Sequence, residues 1–229
     1  MKYFITIIMI VFGSSIGFSQ IHEIGVFAGG SNFIGDIGAT NYISPNQPAL
    51  GLVYKWNRSP RHSFRFSAIY TDLKGVDSKS DDPRRKLRGY SFNNDILELS
   101  AGMEFTFFDF NLHEHGYKAT PYLYTGITFA TFENYYFNNN GERISEDTNS
   151  NAYGIPTVIG FKTTLTDKFI LGLEVGARYT FTDEIDGNVA DSKWRQQFNF
   201  GNVNNNDWYV FTGVTLTYTF GRKPCYCDY

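Results

Sequence analysis

The stretch FILGLEVGARYTF, residues 169–181, alternates at every position. Phe169, Leu171, Leu173, Val175, Ala177, Tyr179 and Phe181 fall on one face, and Ile170, Gly172, Glu174, Gly176, Arg178 and Thr180 on the other. A period of two is the period of a β-strand, whose successive side chains point to opposite faces. Here one face suits lipid and the other suits a polar interior. The final long segment repeats the design, with Trp208, Val210, Thr212, Val214, Leu216, Tyr218 and Phe220 on the apolar row. Tyr209, Phe211, Gly213, Thr215, Thr217 and Thr219 form the other row. Aromatic rings stand at both ends of the apolar rows, where an amphipathic ring gains most at a membrane–water interface.

Outward from these two segments, the same alternation predicts strands over residues 22–30, 48–56, 62–73, 91–108, 119–132 and 152–165, eight in all. An even number allows antiparallel closure into an up-and-down transmembrane β-barrel occupying residues 20–220. The segments 31–47, 74–90, 133–151 and 182–206 read as long polar loops, and 57–61, 109–118 and 166–168 as shorter turns. Bacterial outer-membrane barrels have long external loops and short periplasmic turns, so both termini are expected in the periplasm. A soluble sandwich or lipocalin-like barrel would instead turn its apolar rows inward and expose rows rich in charge. The second rows here are rich in Gly and Thr, which favours the membrane form.

Composition fits one such domain. The 229 residues are 18% aromatic and 19% charged, with a formal net charge of −3, which excludes a polybasic nucleic-acid binder. Residues 1–19 follow the secretory pattern: Lys2, an apolar run from Phe4 to Phe12, then Gly17 and Ser19 at the small-residue positions before a cut at Ser19–Gln20.

The inward rows carry Glu23, Lys55, Arg65, Glu98, Glu104, Lys162, Glu174 and Arg178, four acids and four bases. An eight-stranded barrel has room for little beyond its own side chains. Charges in so narrow an interior are costly unless paired, so a salt-bridged plug is expected rather than a conduit. Glu98 and Glu104, six residues apart on one strand, are separated by about 20 Å at roughly 3.3 Å per residue and cannot share a substrate atom.

Chemistry-bearing motifs are missing. His22, His62, His113 and His115 all fall at the end with short turns, and His113-Glu114-His115 lacks the remaining ligands of a metal site. The run from Asp147 resembles a calcium loop at its start but has Ala152 where the sharp turn requires Gly and Val158 where a bidentate Glu is required. Asp183, Glu184, Asp186 and Asp191 make the last loop acidic, which reads as ordinary solvation with room for weak calcium binding. Gly29-Gly30-Ser31 has no phosphate-loop lysine. No nucleophile with a base is found, so neither enzymatic activity nor a cofactor is expected. Arg84, Arg85, Lys86 and Arg88 form a basic cluster beside Asp81 and Asp82, either a loop ion-pair network or a contact for lipopolysaccharide phosphates.

Both cysteines lie after the last strand, in the tail of residues 221–229, as Cys225-Tyr226-Cys227. Nothing in the barrel uses them. In an oxidising compartment the pair is available to a partner by an intermolecular disulfide or by soft-metal chelation; the plain alternative is an inert tail. Together with the opening EIGVFAGGSNFIGDIG of residues 23–38 and the closing strand Trp208 to Phe220, this tail resembles the PorG family of Bacteroidetes outer-membrane proteins. The resemblance covers the whole mature layout and is specific at the two ends; the small barrel PorT is similar.

The resemblance implies a component of the type IX secretion system, which in gliding bacteria supports adhesin delivery. It implies a barrel docked to a periplasmic ring of the lipoprotein PorK and its partner PorN, with Cys225, Tyr226 and Cys227 as candidate attachment residues. The competing expectation is an OmpA-like surface barrel that binds ligands through its external loops.

Overall fold

The computed structural model describes residues 21–188, 196–202 and 205–221. Eight strands run in chain order: β1 Ile21–Ile34, β2 Gln47–Asn57, β3 His62–Val76, β4 Ser91–Thr106, β5 Ala119–Phe137, β6 Arg143–Thr164, β7 Phe169–Thr180 and β8 Trp208–Phe220. Each pairs antiparallel with its sequence neighbour, and β1 closes on β8 from His22↔Phe220 to Ile34↔Trp208. Closure leaves no free edge around the wall, so every strand finds its hydrogen-bond partners within the chain.

The alternation of residues 169–181 appears as alternating burial. Leu173 is 56% exposed while its neighbour Glu174 is 4% exposed. Leu52, Ile127 and Ile159 are likewise outward, each more than three-fifths exposed. Charged side chains are buried and aliphatic ones are bare, the reverse of a water-soluble barrel. A continuous apolar wall around a polar interior is a membrane-spanning surface.

One end of the barrel carries the first and last strand termini and the connections 58–61, 107–118 and 165–168; the other carries 35–46, 77–90, 138–142 and 181–207. The expected loop over 133–151 is corrected. β5 continues to Phe137 and β6 begins at Arg143, with a register shift between Glu133 and Tyr135 and only a short turn between them. Burial drives the extension: Tyr135 and Phe137 are each 3% exposed, packed with Phe92 in an apolar cluster beyond the wall. A bulge bends the ribbon where the ladder would otherwise continue straight.

The expected loop 74–90 also gains structure, a single 3-10 turn at Asp77–Lys79 and a short helix α1, Pro83–Arg88. Its start signals are local: the Asp82 side chain accepts from the Arg84 N–H at 2.8 Å, and Pro83 stands at the first helical position. Gly89, at φ 73°, ends it in the left-handed region.

Candidate functional site

All eight inward charges lie inside the barrel at 4% exposure or less. Seven of them fall into two hubs on β4, one at each of the glutamates that the sequence separates. Glu104 sits between two ammonium groups, Lys55 Nζ at 2.7 Å and Lys162 Nζ at 2.6 Å. Beside it, Arg65 makes two bonds to Glu174, at 2.7 and 2.8 Å, the bidentate match of a planar guanidinium and a carboxylate. Tyr122 donates to the same carboxylate at 2.6 Å. Gly160 makes this approach possible, because a Cβ there would overlap the Tyr122 ring.

The second hub is Glu98, which accepts from Tyr209 Oη at 2.6 Å and from Arg178 Nε at 3.3 Å. Between the hubs, Tyr124 donates to Ser100 at 3.0 Å and Ser100 bonds Ser67 at 2.6 Å. Glu23 stands apart. It pairs across the ladder with Lys55, yet its carboxylate is held by neutral donors, Asn57 at 2.9 Å and Thr217 at 2.8 Å. Seven of the eight charges are therefore ion-paired, and the eighth is satisfied by hydrogen bonds.

Around the second hub the interior turns apolar, with Phe27, Ile69, Phe211 and Leu73 fully buried. Ile185, from the last loop, is inserted over this layer with no exposed surface. Its carbonyl accepts from Asn94 at 3.1 Å and from Tyr135 at 3.2 Å, and its N–H donates to Asp207 at 3.0 Å. All three contacts tie it to β4, to β5 or to the residue just before β8. The last loop is thus anchored into the mouth.

The basic cluster divides its work. Arg85 donates to the carbonyls of Gly35 and Gly38 at 2.9 and 2.8 Å, and Arg88 donates to the Asp36 carbonyl at 2.7 Å and to Asp77 at 2.8 Å. These two fix the first loop beneath α1. Arg84 is bare, at 94% side-chain exposure, and Lys86 is also exposed.

Two of the acidic loop residues, Asp183 and Asp186, are not on a solvated surface, which corrects that reading for them. Asp183 and Asp186 are 7% and 0% exposed, and they meet Asp36 and Asp207, at 8% and 0%. Asp186 accepts from the Asp36 N–H at 3.0 Å, Asp36 from the Asn202 N–H at 2.9 Å, and Asp183 from Asn188 at 2.6 Å. Burial, and then the neighbouring charges of Asp186 and Asp36, push the Asp183 carboxyl up to about 8. Burial and Asp36 push Asp186 up to about 7, and burial with Asp186 and Asp183 raises Asp207 well above the ordinary range. The sequence placed Asp183 and Asp186 in one acidic run; Asp36 and Asp207 join them only through the closure of β1 on β8.

At the opposite end, His22 Nδ1 bonds Tyr54 Oη at 2.8 Å and His115 Nδ1 bonds Asp167 at 2.8 Å. Among the described residues no three His, Cys, Asp or Glu side chains are arranged to hold a metal ion. The signal-cleavage pair Ser19–Gln20, Asp191, and the attachment candidates Cys225, Tyr226 and Cys227 lie outside the described residues.

Comparison with solved structures returns other barrels at low identity. The chain is similar to Ail, the attachment invasion locus protein of Yersinia pestis, in its complex with the heparin analogue sucrose octasulfate, at 10% identity and a TM-score of 0.47, covering 89% of this chain and 100% of that one. It is similar to Neisserial surface protein A at 13% identity and a TM-score of 0.43, covering 88% and 95%. A major outer membrane protein of Thermus thermophilus aligns at 13% identity and a TM-score of 0.44, covering 89% and 100%. None of the curated proteins matches the chain. One family pattern runs the full length of residues 1–229, and the chain belongs to that family, described as a domain of unknown function, DUF6089.

Proposed function

We propose that this protein is a non-enzymatic anchor of the bacterial outer membrane, with both termini in the periplasm and its C-terminal tail holding a periplasmic assembly. The observation that carries the reading is the interior. Paired charges and large rings occupy the barrel from one hub to the other, so the wall is built to hold a position in the membrane rather than to pass a solute. A leader-like N-terminus and an apolar outer wall support the location.

The resemblance of both chain ends to PorG supports a finer role in type IX secretion, docking a ring that resembles PorK and PorN and, in gliding bacteria, supporting adhesin secretion. Cys225 and Cys227 are the proposed attachment residues, with Tyr226 between them. Exposed Arg84 and Lys86 on α1 are suited to lipopolysaccharide phosphates at the opposite rim.

The test is affinity purification from native outer membranes under non-reducing conditions, comparing wild type with Cys225→Ser, Cys227→Ser and the double variant. A reducible adduct with a periplasmic lipoprotein, lost in one of the variants, is the expected result. Recovery of the barrel without any periplasmic protein, in every version, would remove the docking role.

A further inference from the structure

Four carboxyl groups meet at the mouth where Ile185 is inserted, and they come from three separate stretches of chain. Asp36 belongs to the first loop, Asp183 and Asp186 to the start of the last loop, and Asp207 to its end. All are at least nine-tenths buried, and among the described residues none is in an ion pair. Four buried, unpaired carboxylates repel one another and lack the hydration that stabilises charge, so such a group closes only if charge is removed.

One atom shows how. Asp207 Oδ2 accepts the Ile185 N–H, but Asp207 Oδ1 is buried without a hydrogen-bond partner. That oxygen points at Gly35, the residue beside Asp36, where a Cβ would strike it. A carboxyl that keeps its proton supplies the O–H donor that this cluster lacks. Among the described residues, the groups facing the cluster offset its charge only in part. Glu184 on the same loop adds to the repulsion, Tyr135 from β5 is neutral, and Arg88 from α1, whose charge reaches Asp186, is engaged chiefly with Asp77 at 2.8 and 3.0 Å. Arg85, which lines the adjoining cleft with Arg84, Asp82 and Asp36, is engaged with the Gly35 and Gly38 carbonyls.

We propose that Asp183, Asp186 and Asp207, packed against the first loop at Asp36, form a proton-dependent latch, which holds the start of the last loop, residues 182–188, in the barrel mouth in acid and releases it as the pH rises. Its sign follows from where the protons are bound. In an opened loop the carboxyls of Asp183, Asp186 and Asp207 ionise near the ordinary value of about 3.9. In the closed loop ionisation waits until about 8 for Asp183 and about 7 for Asp186. Between these limits the closed form holds more protons, so raising the pH favours opening. Below about 4 both forms are protonated and the dependence disappears; above about 8 Asp183 and Asp186 are ionised in both forms, and only Asp207, raised well above the ordinary range, still contributes. The latch concerns the mouth alone and stands whether or not the tail binds a partner.

The experiment is amide exchange on the full folded chain in lipid nanodiscs, in EDTA, from pH 5 to 9, with rates corrected for their intrinsic pH dependence. Protection over residues 33–38 and 182–188 is expected to fall at least about tenfold per pH unit between pH 5 and 7 and less steeply above about 8, while β7 stays protected. Asp186→Asn with Asp207→Asn, which mimics the protonated form, should flatten that profile; Asp183→Asn alone should flatten it in part and serves if the double variant does not fold. A wild-type profile that is flat from pH 5 to 9 overturns the latch. So does protection that is absent at pH 5 in EDTA and returns only with calcium, since the cluster would then be a cation site.

Discussion

Glu104 holds two ammonium groups that have no other carboxylate so near, and this sets what its loss does. Glu104→Gln leaves Lys55 and Lys162 buried beside a neutral amide, and the expected cost is about 3–5 kcal/mol, the scale for breaking a buried pair by removing one partner. Glu23→Gln should cost about 1 kcal/mol or less, because the amide oxygen can still accept from Asn57 while the amide N–H donates to the Thr217 hydroxyl, which can turn to accept. Urea unfolding of both variants in detergent micelles checks the order; equal losses would show that formal charge, not pairing, governs the interior. The inward residues were legible because alternation assigns each of them to a face. Which acid meets which base was not, since Arg65 and Glu174 are 109 residues apart and meet across the lumen, not along the ladder. The four aspartates of the mouth were hidden for the same reason: only the closing of β1 on β8 brings Asp36 to Asp207.

Strands were legible wherever one face meets lipid and the other the interior, as in β7. Legibility failed where the ribbon rises past the wall. In β6, Arg143 to Asn151 are mostly exposed on both faces and carry Ser, Asn and Glu, so no alternation marks them, and pairing with β5 alone keeps them extended. The same contrast yields a measurement. Leu173, near the middle of β7, faces out between Phe161 and Val214, and Leu173→Arg should cost about 2–4 kcal/mol in a bilayer. Ile144, in the projecting part of β6, is 36% exposed, and Ile144→Arg should change stability by about 0.5 kcal/mol or less. Refolding titrations into lipid vesicles read both. A large penalty at Ile144 would move the membrane boundary up the hairpin and remove the distinction between wall and projecting ribbon.

The barrel is a wall with charges locked inside, a loop inserted at one mouth, and the start of β1 and the end of β8 at the other. Such a barrel should show no steady conductance in planar bilayers at neutral pH, and a stable open level carrying small ions would contradict a filled interior. Architecture and strand count were readable from sequence because closure of eight alternating segments leaves few arrangements. The inserted loop was not, because Ile185 is a single apolar residue in an acidic stretch, and its burial depends on Asn94 and Tyr135 from distant strands. The central claim is that this chain is a closed barrel spanning a membrane with its apolar face outward. Its most direct test is gel migration of the mature protein, boiled and unboiled, after carbonate extraction of the membranes. Retention in the membrane pellet and a shift in migration on boiling are the predicted results. Release by carbonate, with identical migration in both samples, would contradict the account.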